Sequence, residues 1–173
     1  MTENAEQIYQ RAKSEMKKER WLPAIKLLKH RLVVAEENWQ FSGDLGWCYF
    51  KLDKFEEARK HMIRATRLAP ENPDCKWALG VVYLEKKHFK KAEAVLVESL
   101  TKKESYLTRI LLALAYLSQG KVEEAEGIHL EGIRLKPKSS RRYKGYAVFL
   151  SDVGRKSEAR IMEEKARKLR SVN

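Results

Sequence analysis

Small and large apolar positions recur along this chain with a period of 33 or 34 residues. Ala24, Ala58, Ala92, Ala125 and Ala159 lie 34, 34, 33 and 34 positions apart, and a bulky residue stands three places upstream of four of them: Trp21, Phe55, Phe89 and Val122. Nine residues before the alanine come Tyr49, Tyr83, Tyr116 and Leu150, and three before those come Gly46, Gly80, Ala113 and Ala147, with Ala12 at the matching place in the first unit. Small residues on a helix face let two helices approach closely, since interaxial distance follows the side chains at the contact. Polar punctuation separates the apolar runs at KKERW, KLDKF, EKKHF, SQGKV and DVGRK, and again at APENPD and KPKSS. Gly120 and Gly154 are placed to end helices, while Pro70, Pro73 and Pro137 interrupt none. The pattern predicts ten short antiparallel helices in pairs and carries no strand signal. One pair has a single apolar stripe and cannot hide it alone, so a repeating unit of this length is stabilised by stacking on its neighbours.

The recurring residues resemble the tetratricopeptide repeat family. Leu45, Gly46, Tyr49, Phe55, Ala58, Ala65 and Pro70 carry the resemblance in one unit, and Leu79, Gly80, Tyr83, Phe89 and Ala92 in the next, where Glu104 replaces the usual proline. Leu112, Ala113, Tyr116, Ala125 and Pro137 carry it in the fourth. The outer units are weaker, with Glu15 in place of the aromatic in the first and Lys156 at the usual bulky position in the fifth. The resemblance implies an all-α fold, a right-handed α-solenoid of about five helix-turn-helix repeats. These would span approximately 5–38, 39–72, 73–105, 106–139 and 140–173 in a single domain, 1–173. It also implies a non-catalytic protein-protein interaction scaffold whose groove is lined by the first helix of each pair.

Helical spacing then selects the groove residues. If Leu45, Gly46 and Tyr49 pack inward, Trp47 and Phe50 turn toward the groove. The next unit offers Trp77, Val81 and Leu84, the fourth offers Ile110, Leu114 and Leu117, and Tyr9 extends the surface toward the first unit. This chemistry suits an apolar peptide or helix segment of another protein. LTRILLALAYL is apolar around nearly its whole circumference, which implies burial on two faces. The second face is a groove or a further internal contact. The carboxylate clamp of chaperone-binding relatives is not expected, because Asp44 and Asp74 stand where that clamp needs an amide and a base, beside Tyr9, Lys13 and Ala78.

Charge adds a second candidate surface. The formal net charge is +12, and from Arg134 onward thirteen Lys or Arg face four Asp or Glu. Arg141, Arg142, Lys144, Arg155, Arg160 and Arg167 form the expected basic surface, suited to an acidic partner or, as the alternative, to nucleic acid. Self-association into a homo-oligomer or a longer stack is a further reading, although Val153, Ile161, Met162 and Leu169 suffice for one core face. No cofactor, metal or catalytic role is expected: His30, His61, His88 and His129 lack ligand spacing, and no Gly-rich phosphate loop or nucleophile turn occurs. The pairs Glu56–Glu57 and Glu123–Glu124 sit at helix starts, where the dipole favours acids. Cys48 and Cys75 read as small buried thiols. With no membrane-spanning run and no secretory signal in MTENAEQIYQ, the expected place is the cytoplasm, without membrane contact.

Overall fold

The computed structural model of the protein describes residues 4–34 and 38–170. Among them are ten α-helices and no strand: α1 (Ala5–Lys17), α2 (Trp21–Val34), α3 (Trp39–Phe50), α4 (Phe55–Leu68), α5 (Pro73–Glu85), α6 (Phe89–Lys102), α7 (Tyr106–Leu117), α8 (Val122–Leu135), α9 (Ser140–Asp152) and α10 (Lys156–Arg170). Every expected turn falls between two of these. The chain divides into two compact units, Met1–Lys102 and Lys103–Asn173. In the first, α1 pairs with α2, α3 with α4 and α5 with α6, while α2 packs on α3 and α4 on α5. In the second, α7 pairs with α8 and α9 with α10, and α8 packs on α9. These are the helix-turn-helix repeats of an α-solenoid.

The period is written in the backbone as well as the core. The position closing each first helix is left-handed in every repeat: Glu19 (φ 57°), Asp53 (57°), Lys87 (56°), Gly120 (76°) and Gly154 (85°). The next amide then reaches back over the last turn: Arg20 to Glu15 at 2.9 Å, Lys54 to Tyr49 at 3.0 Å, His88 to Tyr83 at 2.8 Å, Lys121 to Tyr116 at 3.1 Å and Arg155 to Leu150 at 2.8 Å. This is the long hydrogen bond of a Schellman ending, which satisfies a carbonyl the helix leaves free. The first helices also share a start. Asn4, Asn38, Asn72, Ser105 and Ser139 occupy their N-caps, and all but Ser139 accept a backbone N–H at the side chain.

Packing follows the small-residue period. All five repeat alanines are buried, as are Ala12, Ala113 and Ala147. A Cβ on Gly46 would lie 2.8 Å from Met62 Cγ, and one on Gly80 would lie 2.6 Å from Leu96 Cδ2. Both glycines are therefore required by close approach of the paired helix. Leu28, Leu45, Met62, Val82 and Leu96 fill the first unit's core. Ala113, Ala125, Tyr146, Phe149, Leu150 and Ala159 form the second's, with Val153 and Met162 against them. Ile161, expected on that core face, is instead 60% exposed. Its neighbours Ala159 and Met162 already cover the stripe that α10 presents inward, so Ile161 is turned to the opposite side. Cys48 and Cys75 are buried, and burial raises their thiols to about 12 and about 11 respectively, which leaves both protonated and inert at neutral pH.

Candidate functional site: an apolar cleft in the second unit

The first unit brings its candidate residues together, but against one another. Trp47 stacks on Phe50 at 5.2 Å and lies 6.0 Å from Trp77, and Phe50 meets Phe55 edge-on at 5.7 Å. Lys51 places its ammonium 5.5 Å from the Trp47 ring centroid. Trp47, Phe50, Trp77, Val81 and Leu84 are all half-buried. Tyr9 is also half-buried; its hydroxyl donates to Asp44 at 2.8 Å, and its ring packs on Phe41. Lys13 reaches the same carboxylate at 3.2 Å. Asp44 thus pairs the cation that a carboxylate clamp would need free.

The second unit leaves a real opening. Tyr106, Ile110, Leu114 and Leu117 from α7 face Gly145, Val148 and Phe149 from α9 across a cleft of about 290 Å³. Gly145 makes the floor possible, because a Cβ there would come within 2.8 Å of the Tyr106 hydroxyl and 3.0 Å of Ile110 Cδ1. Leu114 and Val148 on its walls are 48% and 55% exposed, which is costly for large apolar side chains in water. Leu117 packs partly on the unit's core. His129 closes the base, stacked on Tyr146 at 5.8 Å and tilted on Phe149 at 5.1 Å; burial lowers it to about 4, so it is neutral at physiological pH. Arg141 lies 4.4 Å over the Tyr106 ring, and Lys144, one turn before Val148, is exposed on the same helix.

The basic surface is reshaped by ion pairing. Arg142 is not a surface residue: it is 6% exposed, and its Nη2 donates to Glu104 at 2.8 Å. Glu104 also accepts from Arg109 at 2.8 Å, and Arg109 reaches Glu131 at 3.1 Å. Gly132 provides the space, since a Cβ there would lie 2.8 Å from Arg142 Nη1. The acid that replaces the usual repeat proline is therefore the counter-ion that draws Arg142 inward. Arg155 is held by Glu126 at 2.7 Å and Glu158 at 2.6 Å, and Tyr146 donates to the same Glu126. Arg141, Lys144, Arg160 and Arg167 stay exposed. Among the described residues no cluster of His, Cys, Asp or Glu is arranged to hold a metal, and no helix is long and apolar enough to cross a membrane.

Two models of the family described as tetratricopeptide repeat match residues 43–72 and 108–141. These two segments are tetratricopeptide repeats. Solved structures carry the same fold at low identity. MamA 41-end from Desulfovibrio magneticus RS-1 superposes with a TM-score of 0.83 at 17% identity, covering 100% of this chain and 98% of that one. A crystal structure of MamA gives 0.77 at 20% over 92% and 94%, and MamA MSR-1 gives 0.72 at 20% over 96% and 97%. No curated protein matches by sequence.

The repeat period could have found the residues that spacing missed. Val148 lies 34 positions after Leu114, as Leu114 lies 33 after Val81. The fifth repeat has Leu150 where the second, third and fourth have Tyr, and the expected groove stops short of its first helix. Gly145 had no sequence signal, because only its contact with Tyr106 and Ile110 gives it meaning.

Proposed function

We propose that the chain is a non-catalytic interaction scaffold whose second unit seats an apolar segment of another protein between α7 and α9. The observation carrying this reading is the cleft itself, with Leu114 and Val148 half in water above the Gly145 floor. Fully burying a large apolar side chain stabilises by roughly 1.5–3 kcal/mol. Two such anchors with Ile110 and Tyr106 offset a good part of the roughly 4–15 kcal/mol that association costs. Arg141 and Lys144 at one end favour a segment with acidic residues on that side. The half-buried set Tyr9, Trp47, Phe50, Trp77, Val81 and Leu84 contributes, on this reading, a lesser apolar surface in the first unit. The test compares wild type with Leu114→Glu and Val148→Glu, each shown folded by circular dichroism, in nuclease-treated pull-downs. A band lost with both variants supports the cleft. Unchanged binding by both variants returns Leu114 and Val148 to the status of bystanders.

A further inference from the structure

The outer face of the first unit carries a cation cluster in which, among the described residues, Lys60, Arg64 and Arg67 form no ion pair. On α4, Glu56 is already shared between Arg59 at 2.9 Å and Lys86 at 3.2 Å. One turn on, Lys60, Arg64 and Arg67 are exposed, and among the described residues none has an ion-pair partner. They border an open groove of about 720 Å³ along α4, together with Glu57, His61 and Ile63. Lys29 arrives from α2, its ammonium 5.7 Å from the Tyr49 ring centroid, and Tyr49 from α3 stacks on His61 at 5.5 Å. His61 is therefore enclosed by groups from three helices: Lys29, Tyr49, and Glu57, Lys60 and Arg64 of its own helix. Its Nδ1 is buried without a hydrogen-bond partner.

Several exposed cations elsewhere are paired. Lys76 meets Glu98 at 2.7 Å, Arg155 meets two acids, and Lys168 meets Glu164 at 2.8 Å. Like charges gathered beside Glu57, with Glu56 already shared by Arg59 and Lys86, raise the local potential and favour a multivalent anion. We propose that Lys29, Lys60, His61 and Arg64 form a binding site for a phosphate group on the outer face of the first unit. Lysines and an arginine supply charged donors to phosphate oxygens, Lys60 and Arg64 from the groove and Lys29 from beside Tyr49. Burial and then the Lys60, Arg64 and Lys29 charges lower His61 below its ordinary value. A bound anion offsets the electrostatic part of that shift, so His61 takes up a proton more readily with the anion in place.

The test is titration of the full chain with sodium pyrophosphate, against sodium chloride at matched ionic strength, with the His61 ring protons followed by NMR. The expected result is a saturable shift and a rise in the His61 pKa. Binding should weaken about tenfold in the Lys60→Gln, Arg64→Gln double variant, because each exposed cation contributes modestly. Vesicles of phosphatidylcholine with or without a phosphoinositide form a second arm. Sedimentation only with the phosphoinositide, lost in the double variant, would place the phosphate on a lipid headgroup. Chloride reproducing the pyrophosphate shift, or the double variant binding as well as wild type in both arms, overturns the site. Lys60 and Arg64 are exposed, so the double variant tests charge without disturbing a core, and its failure leaves the cleft reading of the second unit untouched.

Discussion

At the scale of single residues, buried polar groups set the sharpest expectations. Glu104 is the counter-ion of two buried arginines, 5% and 6% exposed, and among the described residues Arg142 has no other acid in ion-pair range. Glu104→Gln should destabilise the second unit by about 3 kcal/mol, because breaking a buried pair leaves an uncompensated charge. Chemical denaturation measures this, and a loss below 1 kcal/mol would mean that Arg142 swings out to water. His129 gives a pH dependence of known sign. Its folded value, about 4, lies below the unfolded value near 6.5, so below pH 6.5 the unfolded chain binds the extra proton. Stability is therefore held above pH 6.5 and lost as pH falls toward 4, by up to about 1.4 kcal/mol per unit for one proton. His129→Gln should flatten the stability profile between pH 6.5 and 5, a window above the carboxylate titrations. An unchanged slope would show that His129 is not the group responsible.

At the scale of elements, the helix endings invite a direct test. Lys87 holds φ 56° where the fourth and fifth repeats use glycine. The left-handed conformation costs a residue with a Cβ roughly 1–2 kcal/mol, offset by about 0.5–1 kcal/mol of extra chain entropy in glycine. Lys87→Gly should thus raise stability by about 0.5 kcal/mol, while Gly120→Ala should lower it by about 1 kcal/mol. Thermal unfolding of the two variants checks the opposite signs. The ten helices among the described residues were legible in the sequence because their periodic marks are steric: Ala58 and Ala92 are fully buried, and Gly46 and Gly80 lie against Met62 and Leu96. The candidate site was less legible, for two physical reasons. Trp47, Phe50 and Trp77 satisfy the groove spacing, yet they pack on each other, a choice of rotamer and tertiary neighbour that spacing does not encode. Arg142 reads as one more basic residue in SSRRYK until Glu104, thirty-eight positions earlier, is placed beside it.

At the scale of the whole molecule, the count of 36 Lys and Arg overstates the cations open to a partner, since Arg109, Arg142 and Arg155 are held in ion pairs. Near the cleft and on α10 the exposed cations of the expected basic surface reduce to Arg141, Lys144, Arg160 and Arg167. This separates the two binding chemistries by magnitude. Four phosphate contacts release enough counter-ions to give a log–log salt slope of about −3.6, so affinity would fall about fifty-fold between 0.1 and 0.3 M salt. An apolar segment held by Leu114, Ile110 and Val148 gains nothing from counter-ion release, and its rim charges are screened within about 10 Å at 0.1 M. Retention of the captured partner should therefore change by less than about threefold over the same range, because only the contribution of Arg141 and Lys144 is lost. Pull-downs at the two salt concentrations, with Val148→Glu as the reference for lost apolar contact, measure the difference. A fifty-fold loss with Val148→Glu still binding would move the site from the cleft to the cations, whereas salt tolerance with Val148→Glu inactive would keep it between α7 and α9.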